Sequence, residues 1–189
     1  QQFIDNSVDT IDMSMDQNND GVIEALELGY QVWNNQGRII FVSCNQCGLS
    51  GEIPSQIEDL EYVETFNMWG NNFTGPIPNE ISNMASLTGF TFGGNNLSGT
   101  IPESFYTMSQ LVGFSLWGNN LEGDISNQIC NMNSLESVNF SDNNFSGLIP
   151  DCLCEFDLIW SSEFVQEAHN GPQYPSYLND NSFCPPYPE

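Results

Sequence analysis

Apolar residues return at fixed positions every 24 residues along most of this chain, with units starting at Ile39, Val63, Leu87, Leu111 and Leu135. In the unit that begins at Leu111, they fall at offsets 0, 3, 5, 10, 14, 18 and 21. Offset 3 reads Val42, Phe66, Phe90, Phe114, Val138, and offset 5 reads Cys44, Met68, Phe92, Leu116, Phe140. Both alternate with polar neighbours, as a strand with one buried face requires. An asparagine column follows (Asn71, Asn95, Asn119, Asn143), suited to pairing turn backbone that a sheet leaves unbonded. A glycine column from Gly51 to Gly147 marks a tight bend. Pro54, Pro78, Pro102 and Pro150 come next, with Ser126 breaking that column, and a short helical or 3₁₀ segment closes each unit. Seven inward side chains in 24 residues cannot be buried by one unit. They form a core only when units stack, so the period predicts a solenoid.

The pattern L-x-x-L-x-L-x-x-N-x-L-S-G-x-I-P is carried closely by Leu49-Ser50-Gly51-Glu52-Ile53-Pro54 and Leu97-Ser98-Gly99-Thr100-Ile101-Pro102. Over residues 38–157 the chain resembles the plant-type leucine-rich repeat. The first unit departs from it, with Cys47 where the ladder asparagine belongs. The resemblance implies an α/β solenoid, a right-handed superhelix with a parallel sheet on its concave side. It also implies similarity to polygalacturonase-inhibiting proteins and receptor-kinase ectodomains, which recognise proteins, peptides or glycans.

Ahead of the repeats, within residues 1–37, Asp16 to Glu27 resembles an EF-hand calcium loop. Asp16, Asn18 and Asp20 stand at positions 1, 3 and 5, and Gly21 at the sharp turn. Val22 offers its carbonyl at position 7, Glu24 stands at position 9, and Glu27 is the bidentate carboxylate at position 12. The resemblance implies calcium as cofactor. Val8, Ile11 and Met15 are expected on one face of an entering helix, and Leu28, Val32 and Trp33 on a leaving one. The hand is expected to cap the first repeat. At the other end, residues 158–189 lose the period: 158–168 are expected to form a short capping helix, and the prolines beyond it argue for an irregular, disulfide-tied cap.

Composition narrows the function. The chain carries 25 acids against one base, Arg38, a net charge of −24. No cationic surface exists to release counterions from nucleic acid, and anionic membranes are disfavoured too. No apolar run is long enough to insert into a bilayer. Six cysteines point to an oxidising compartment, and a start at Gln1 reads as a processed end, so a secreted protein is expected. Cys130 and Cys154 share one offset in neighbouring units, so they are expected to pair. That leaves Cys152 with Cys184, and Cys44 with Cys47 as a local bridge. Sequons begin at Asn72, Asn96, Asn139 and Asn144, three of them at one offset, so glycans would stand in a row.

Outward side chains of the concave strands fall at offsets 2, 4 and 6, and none of the fifteen is charged. Trp69 and Trp117 share one column with Gly93 between them, bordered by Asn67, Thr91, Ser115 and Asn139. Flat indoles among neutral polar groups suit either a sugar face or a protein hot spot. Catalysis is not expected, since the one histidine, His169, lies in the tail and no nucleophile set assembles without it. The leading expectation is an extracellular, calcium-binding interaction module for a protein or glycan partner. A self-assembling structural subunit of a fibre or wall is the alternative. Ice binding, a lesser one, needs a flat regular array that charges and prolines interrupt at offsets 11 and 13.

Overall fold

The computed structural model describes residues 2–5, 7, 12–17, 25, 27–155, 158–159, 176–178 and 180–183. Two parallel sheets run along a leucine-rich-repeat solenoid. The concave sheet stacks β2 (Ile39–Ser43), β4 (Thr65–Asn67), β6 (Gly89–Thr91), β8 (Gly113–Ser115) and β10 (Ser137–Asn139). Its register is strict: Phe41 pairs with Thr65, Thr65 with Gly89, Gly89 with Gly113 and Gly113 with Ser137. Equal offsets therefore stand side by side, as the period requires.

The second sheet stacks β3 (Ser50–Glu52), β5 (Asn72–Gly75), β7 (Asn96–Gly99), β9 (Asn120–Asp124) and β11 (Asn144–Gly147). Here Ser50 faces Asn72, Thr74 faces Asn96, Ser98 faces Asn120, and Glu122 faces Asn144. Each pair is 22 apart in sequence, not 24, so this side of the coil slips by two residues per repeat. Short 3₁₀ segments, among them Asn79–Asn83, Glu103–Thr107 and Asn127–Asn131, close the turns.

Between the layers lies one core. Phe66, Phe73, Phe90, Phe92, Phe105, Phe140 and Phe145 are all fully buried, and with Phe114 between Phe105 and Phe140 their rings adjoin in a chain from repeat to repeat. The asparagine ladder threads it. Asn95, for example, accepts from the Phe73 amide at 3.0 Å and donates to the carbonyls of Met68 and Phe92 at 3.1 and 3.0 Å. One amide side chain thus satisfies backbone groups of adjacent units that would otherwise be buried unpaired.

Both ends depart from expectation. The leaving helix is absent: Tyr30–Trp33 is a strand, β1, antiparallel to β2. Gly29 at φ +59° ends any helix before it, and a Cβ there would collide with the Ser43 carbonyl. The strand covers the first edge of the concave sheet, where unpaired amides and carbonyls would otherwise face water. Phe3, Ile4 and Leu28 join the core, and the Phe3 ring sits 5.6 Å from that of Phe73. Where the entering helix is expected, the described residues form a short helix at Gln2–Asp5 and a 3₁₀ turn at Met13–Met15, and Met15 packs on the core. Val8 and Ile11 lie outside the described residues.

The far end is more regular than its prolines suggest. Leu158–Ile159 (β12) is a strand, not the start of a helix, and the rest of 160–168 lies outside the described residues. Ser176–Tyr177 (β13) continues the concave sheet beside β10, and Ser182–Phe183 (β14) continues the second beside β11. Asn181 accepts from the Phe145 amide at 3.0 Å and donates to the carbonyls of Phe140 and Leu178 at 2.8 and 3.1 Å. These are the bonds of a ladder asparagine, so the tail builds a sixth rung.

Two of the expected disulfides are corrected. Cys130 bonds to Cys152, with Cα atoms 5.6 Å apart, not to Cys154. This leaves no Cys152 bond to Cys184, which itself lies outside the described residues. The reason is directional. Side chains at equal offsets are related by translation and point the same way, whereas a disulfide needs two Cβ atoms facing each other. The pair spans 22 residues, the register of the second sheet. Cys44 and Cys47 are bonded, as expected.

Candidate functional site

The alternation that buries Val42, Phe66, Phe90, Phe114 and Val138 turns their neighbours outward on the concave sheet. Asn67, Thr91, Ser115 and Asn139 stand in one continuous row, each half-buried and each paired in register with the next strand. Asn139 is held by its own strand end: its Oδ1 accepts from the Ser141 amide and hydroxyl at 3.1 and 2.8 Å. The antiparallel β1 lengthens this face. Tyr30 lies opposite Ser43 and Val32 opposite Phe41, and the Tyr30 and Phe41 rings meet edge-on at 5.8 Å.

Trp117 is the centre of the surface. A Cβ at Gly93 would overlap Nε1, Cδ1 and Cε2 of its indole, and one at Gly94 would touch Cη2 and Cζ2 at 3.1 and 3.4 Å. The five-membered ring therefore lies on Gly93 and the six-membered ring on Gly94. The indole thus lies along the neighbouring strand end, over the two glycines. Gly93 is buried beneath it, while Trp117 is half-buried. Trp69, also half-buried, occupies the same column two strands earlier, next to Asn45.

Two amide oxygens flank Trp69. Asn45 Oδ1 and Asn67 Oδ1 are buried and accept no hydrogen bond. The Asn45 amide is oriented by its other arm, which donates to Ser43 Oγ at 3.1 Å. Two buried acceptors left unpaired cost about 1–3 kcal/mol each. Neither signal is visible in the repeat pattern, because it depends on side-chain orientation.

Acids stand at the ends of the face. The Asp142 carboxyl sits above the ordinary aspartate range, first because it is partly buried and then because Asp180 lies beside it. Both residues adopt φ +54°, at equivalent turns of consecutive rungs.

Of the calcium-loop residues, Asp16 and Glu27 are half-buried, and the Gln17 amide donates to Glu27 Oε1 at 3.0 Å. The last loop position is thereby held against the second. Asn18, Asp20, Val22 and Glu24 lie outside the described residues. Among the described residues, no group of three or more His, Cys, Asp or Glu is gathered to hold a metal. The sequon residues Asn72, Asn96 and Asn144 are exposed and each begins a strand of the second sheet, whereas Asn139 sits in the concave sheet. Among the described residues, no helix is long and apolar enough to cross a membrane.

Comparison with known proteins agrees with this architecture. The Leucine Rich Repeat family model matches residues 62–84, 86–108 and 134–156. No curated protein matches the chain. Among solved structures, the BIR2 ectodomain of Arabidopsis thaliana is 27% identical, with a TM-score of 0.61 over 80% of this chain and 73% of that one. The Arabidopsis receptor kinase HAESA ectodomain, in complex with an IDA peptide hormone, is 27% identical with a TM-score of 0.60 over 76% of this chain but 22% of its own length. The BIR3–SERK2 complex of Arabidopsis thaliana gives a TM-score of 0.69 over 97% of this chain and 93% of that one, at 24% identity. The chain is thus a leucine-rich-repeat solenoid, similar in fold to these plant ectodomains.

Proposed function

We propose that the protein is an extracellular recognition module that takes a protein or peptide partner on its concave sheet. The observation that carries this reading is Trp117 seated on Gly93 in the middle of a face whose fifteen outward positions are uncharged. In a chain of net charge −24, such a face avoids the desolvation penalty that buried carboxylates would impose on a complex. An indole already seated loses little freedom on binding, and tryptophan is enriched among the residues that dominate protein contacts. The complex of a similar ectodomain, that of the HAESA receptor kinase, with a peptide hormone supports the same use of the fold. The two disulfides fit an oxidising, extracellular setting.

The test is partner capture from the extracellular fluid of its source, with wild-type protein and the Trp69→Ala/Trp117→Ala variant side by side. The reading expects a partner that the wild type retains and the variant loses. Equal retention by both would remove the concave face from the contact.

The N-terminal loop is assigned to calcium by its donor set: three short-chain oxygens at alternate positions, a glycine turn and a closing glutamate. The Gln17–Glu27 hydrogen bond supports it, since the closing carboxylate already lies against the start of the loop. Bound calcium would neutralise acids and brace the cap over the first repeat. Calorimetry with calcium on wild type and Glu27→Gln decides the matter. Heat with the first and none with the second is expected, and no heat with either would discard the ion.

A further inference from the structure

The two sheets carry their glycosylation sequons differently. Asn72-Phe73-Thr74, Asn96-Leu97-Ser98 and Asn144-Phe145-Ser146 lie on β5, β7 and β11 of the second sheet. Asn139-Phe140-Ser141 starts at the last residue of β10, in the concave sheet. We infer that the three second-sheet asparagines carry N-linked oligosaccharides and that Asn139 carries none, which gives the solenoid one sugar-coated sheet and one bare sheet. This rests on the chain being exported and is independent of what the concave face binds.

The strand pleat separates the sequons. Residues two apart in a strand point to the same side, so each acceptor asparagine shares a face with its hydroxyl residue. Phe73, Leu97 and Phe145, the middle residues, are fully buried. This turns Asn72, Thr74, Asn96, Ser98 and Asn144 out into solvent, with Ser146 half-buried where its hydroxyl donates to Asp124 at 3.2 Å. Whatever the state of the chain when the sugar is added, the folded product has to leave a large hydrophilic group in water. The Asn139 sequon meets that condition poorly. Asn139 is half-buried, its amide oxygen accepts from the Ser141 amide and hydroxyl, and Ser141 is only 7% exposed.

Register then sets the spacing. On the concave sheet equal offsets stand side by side, about 4.8 Å apart, too close for two bulky groups in adjacent repeats. On the second sheet Thr74, not Asn72, faces Asn96, and Glu122, not Asn120, faces Asn144. One strand across and two residues along put Asn72 and Asn96 about 8 Å apart. Asn144 stands about 16 Å beyond Asn96, past Asn120, whose triplet ends in Glu122 and is no acceptor. In the transfer, asparagine Nδ2 bonds to the anomeric carbon of the first sugar and gives a proton to the transferase's base. The bond from that carbon to the diphosphate of a lipid-linked oligosaccharide breaks, and its electron pair leaves on the phosphate oxygen. The new linkage is neutral, so coating the sheet adds no charge to a chain already at −24.

Site mapping on protein exported by eukaryotic cells behind a secretory leader tests the inference. Peptide N-glycosidase in heavy-oxygen water converts each sugar-bearing asparagine to labelled aspartate, and tandem mass spectrometry places the label by residue. Label is expected at Asn72, Asn96 and Asn144, with unmodified asparagine at Asn139. Asn72→Gln, Asn96→Gln and Asn144→Gln, all at exposed positions, should each remove one step of gel mobility, and Asn139→Gln should remove none. Label at Asn139, or unmodified asparagine at any of the other three, overturns the inference. The leader forces export, so a failed map counts against these sites and leaves the extracellular reading standing.

Discussion

Asn181 repeats, 38 positions further along the chain, the hydrogen bonds that Asn143 makes. Asn143 accepts from Leu121 and donates to the carbonyls of Leu116 and Phe140. Asn181 accepts from Phe145 and donates to Phe140 and Leu178. Phe140 O is therefore shared between the two, and the last regular repeat is closed by the tail.

Asn181→Ala should open that rung. Its loss leaves the Phe145 amide without its side-chain acceptor, at about 1–3 kcal/mol, while the Phe140 carbonyl keeps its bond from Asn143. Hydrogen exchange at the Phe145 amide is expected to speed up at least tenfold, while the Phe73 amide, served by Asn95, keeps its protection. Unchanged exchange at Phe145 would mean that the tail does not cap the repeats.

Peptide mapping under non-reducing conditions should recover a Cys130–Cys152 fragment. Cys130→Ser with Cys152→Ser should lower stability by about 3 kcal/mol, the chain-entropy value for a loop of this size. A Cys130–Cys154 fragment would contradict the observed stagger of the coil.

Ser126 breaks the proline column for a reason that a double-mutant cycle can measure. Its amide donates to the Tyr106 hydroxyl at 3.4 Å, a bond that proline cannot make, and its own hydroxyl accepts from the Gln128 amide. Ser126→Pro should cost more in the wild type than beside Tyr106→Phe, with a coupling of about 0.5–1.5 kcal/mol. Additive effects would remove this explanation.

The same tyrosine sets an alkaline limit. Burial, opposed by the Ser126 amide, pushes the Tyr106 hydroxyl up to about 12 from 10.0. The folded state holds that proton more tightly than the unfolded state does, so stability should fall as pH rises from 10 towards 12. Tyr106→Phe should flatten this part of the curve in denaturation experiments. An unchanged slope would assign the alkaline loss elsewhere.

Asp142 gives the matching effect in acid. Its carboxyl is raised above 3.8, so the folded state favours the protonated form and stability declines as pH climbs through 3.8 and the raised value above it. Asp142→Asn keeps a residue tolerant of φ +54° and removes the repulsion from Asp180. It should raise the unfolding free energy at pH 7, by roughly 0.2–0.5 kcal/mol for so exposed a site, and do nothing at pH 3. A gain at both pH values would point to something other than charge.

Much of this architecture was legible beforehand. The columns at offsets 3 and 5 are the buried rows of the concave sheet, the asparagines are the ladder, and Trp69, Gly93 and Trp117 stand where the period puts them. A repeat reports what each residue faces, because burial recurs with the strand pleat. It does not report what lies between sequence-distant segments, which is why Leu178, Asn181 and Phe183 went unread although they copy the spacing of Phe140, Asn143 and Phe145. The longer connection hides the register, and only hydrogen bonding to β10 and β11 restores it.

From its sequence alone, then, this chain determines a stacked coil, an uncharged concave face and an acidic exterior, since each follows from side-chain polarity repeated at a constant interval. Tertiary structure decided the rest: that Tyr30–Trp33 covers the first edge as a strand, that Cys130 meets Cys152, and that the Trp117 indole lies on Gly93 and Gly94. Each depends on direction as well as position. A free sheet edge demands a partner, a disulfide demands opposed Cβ atoms, and a flat indole demands a floor without side chains, and all three are conditions of three-dimensional packing that no one-dimensional period contains.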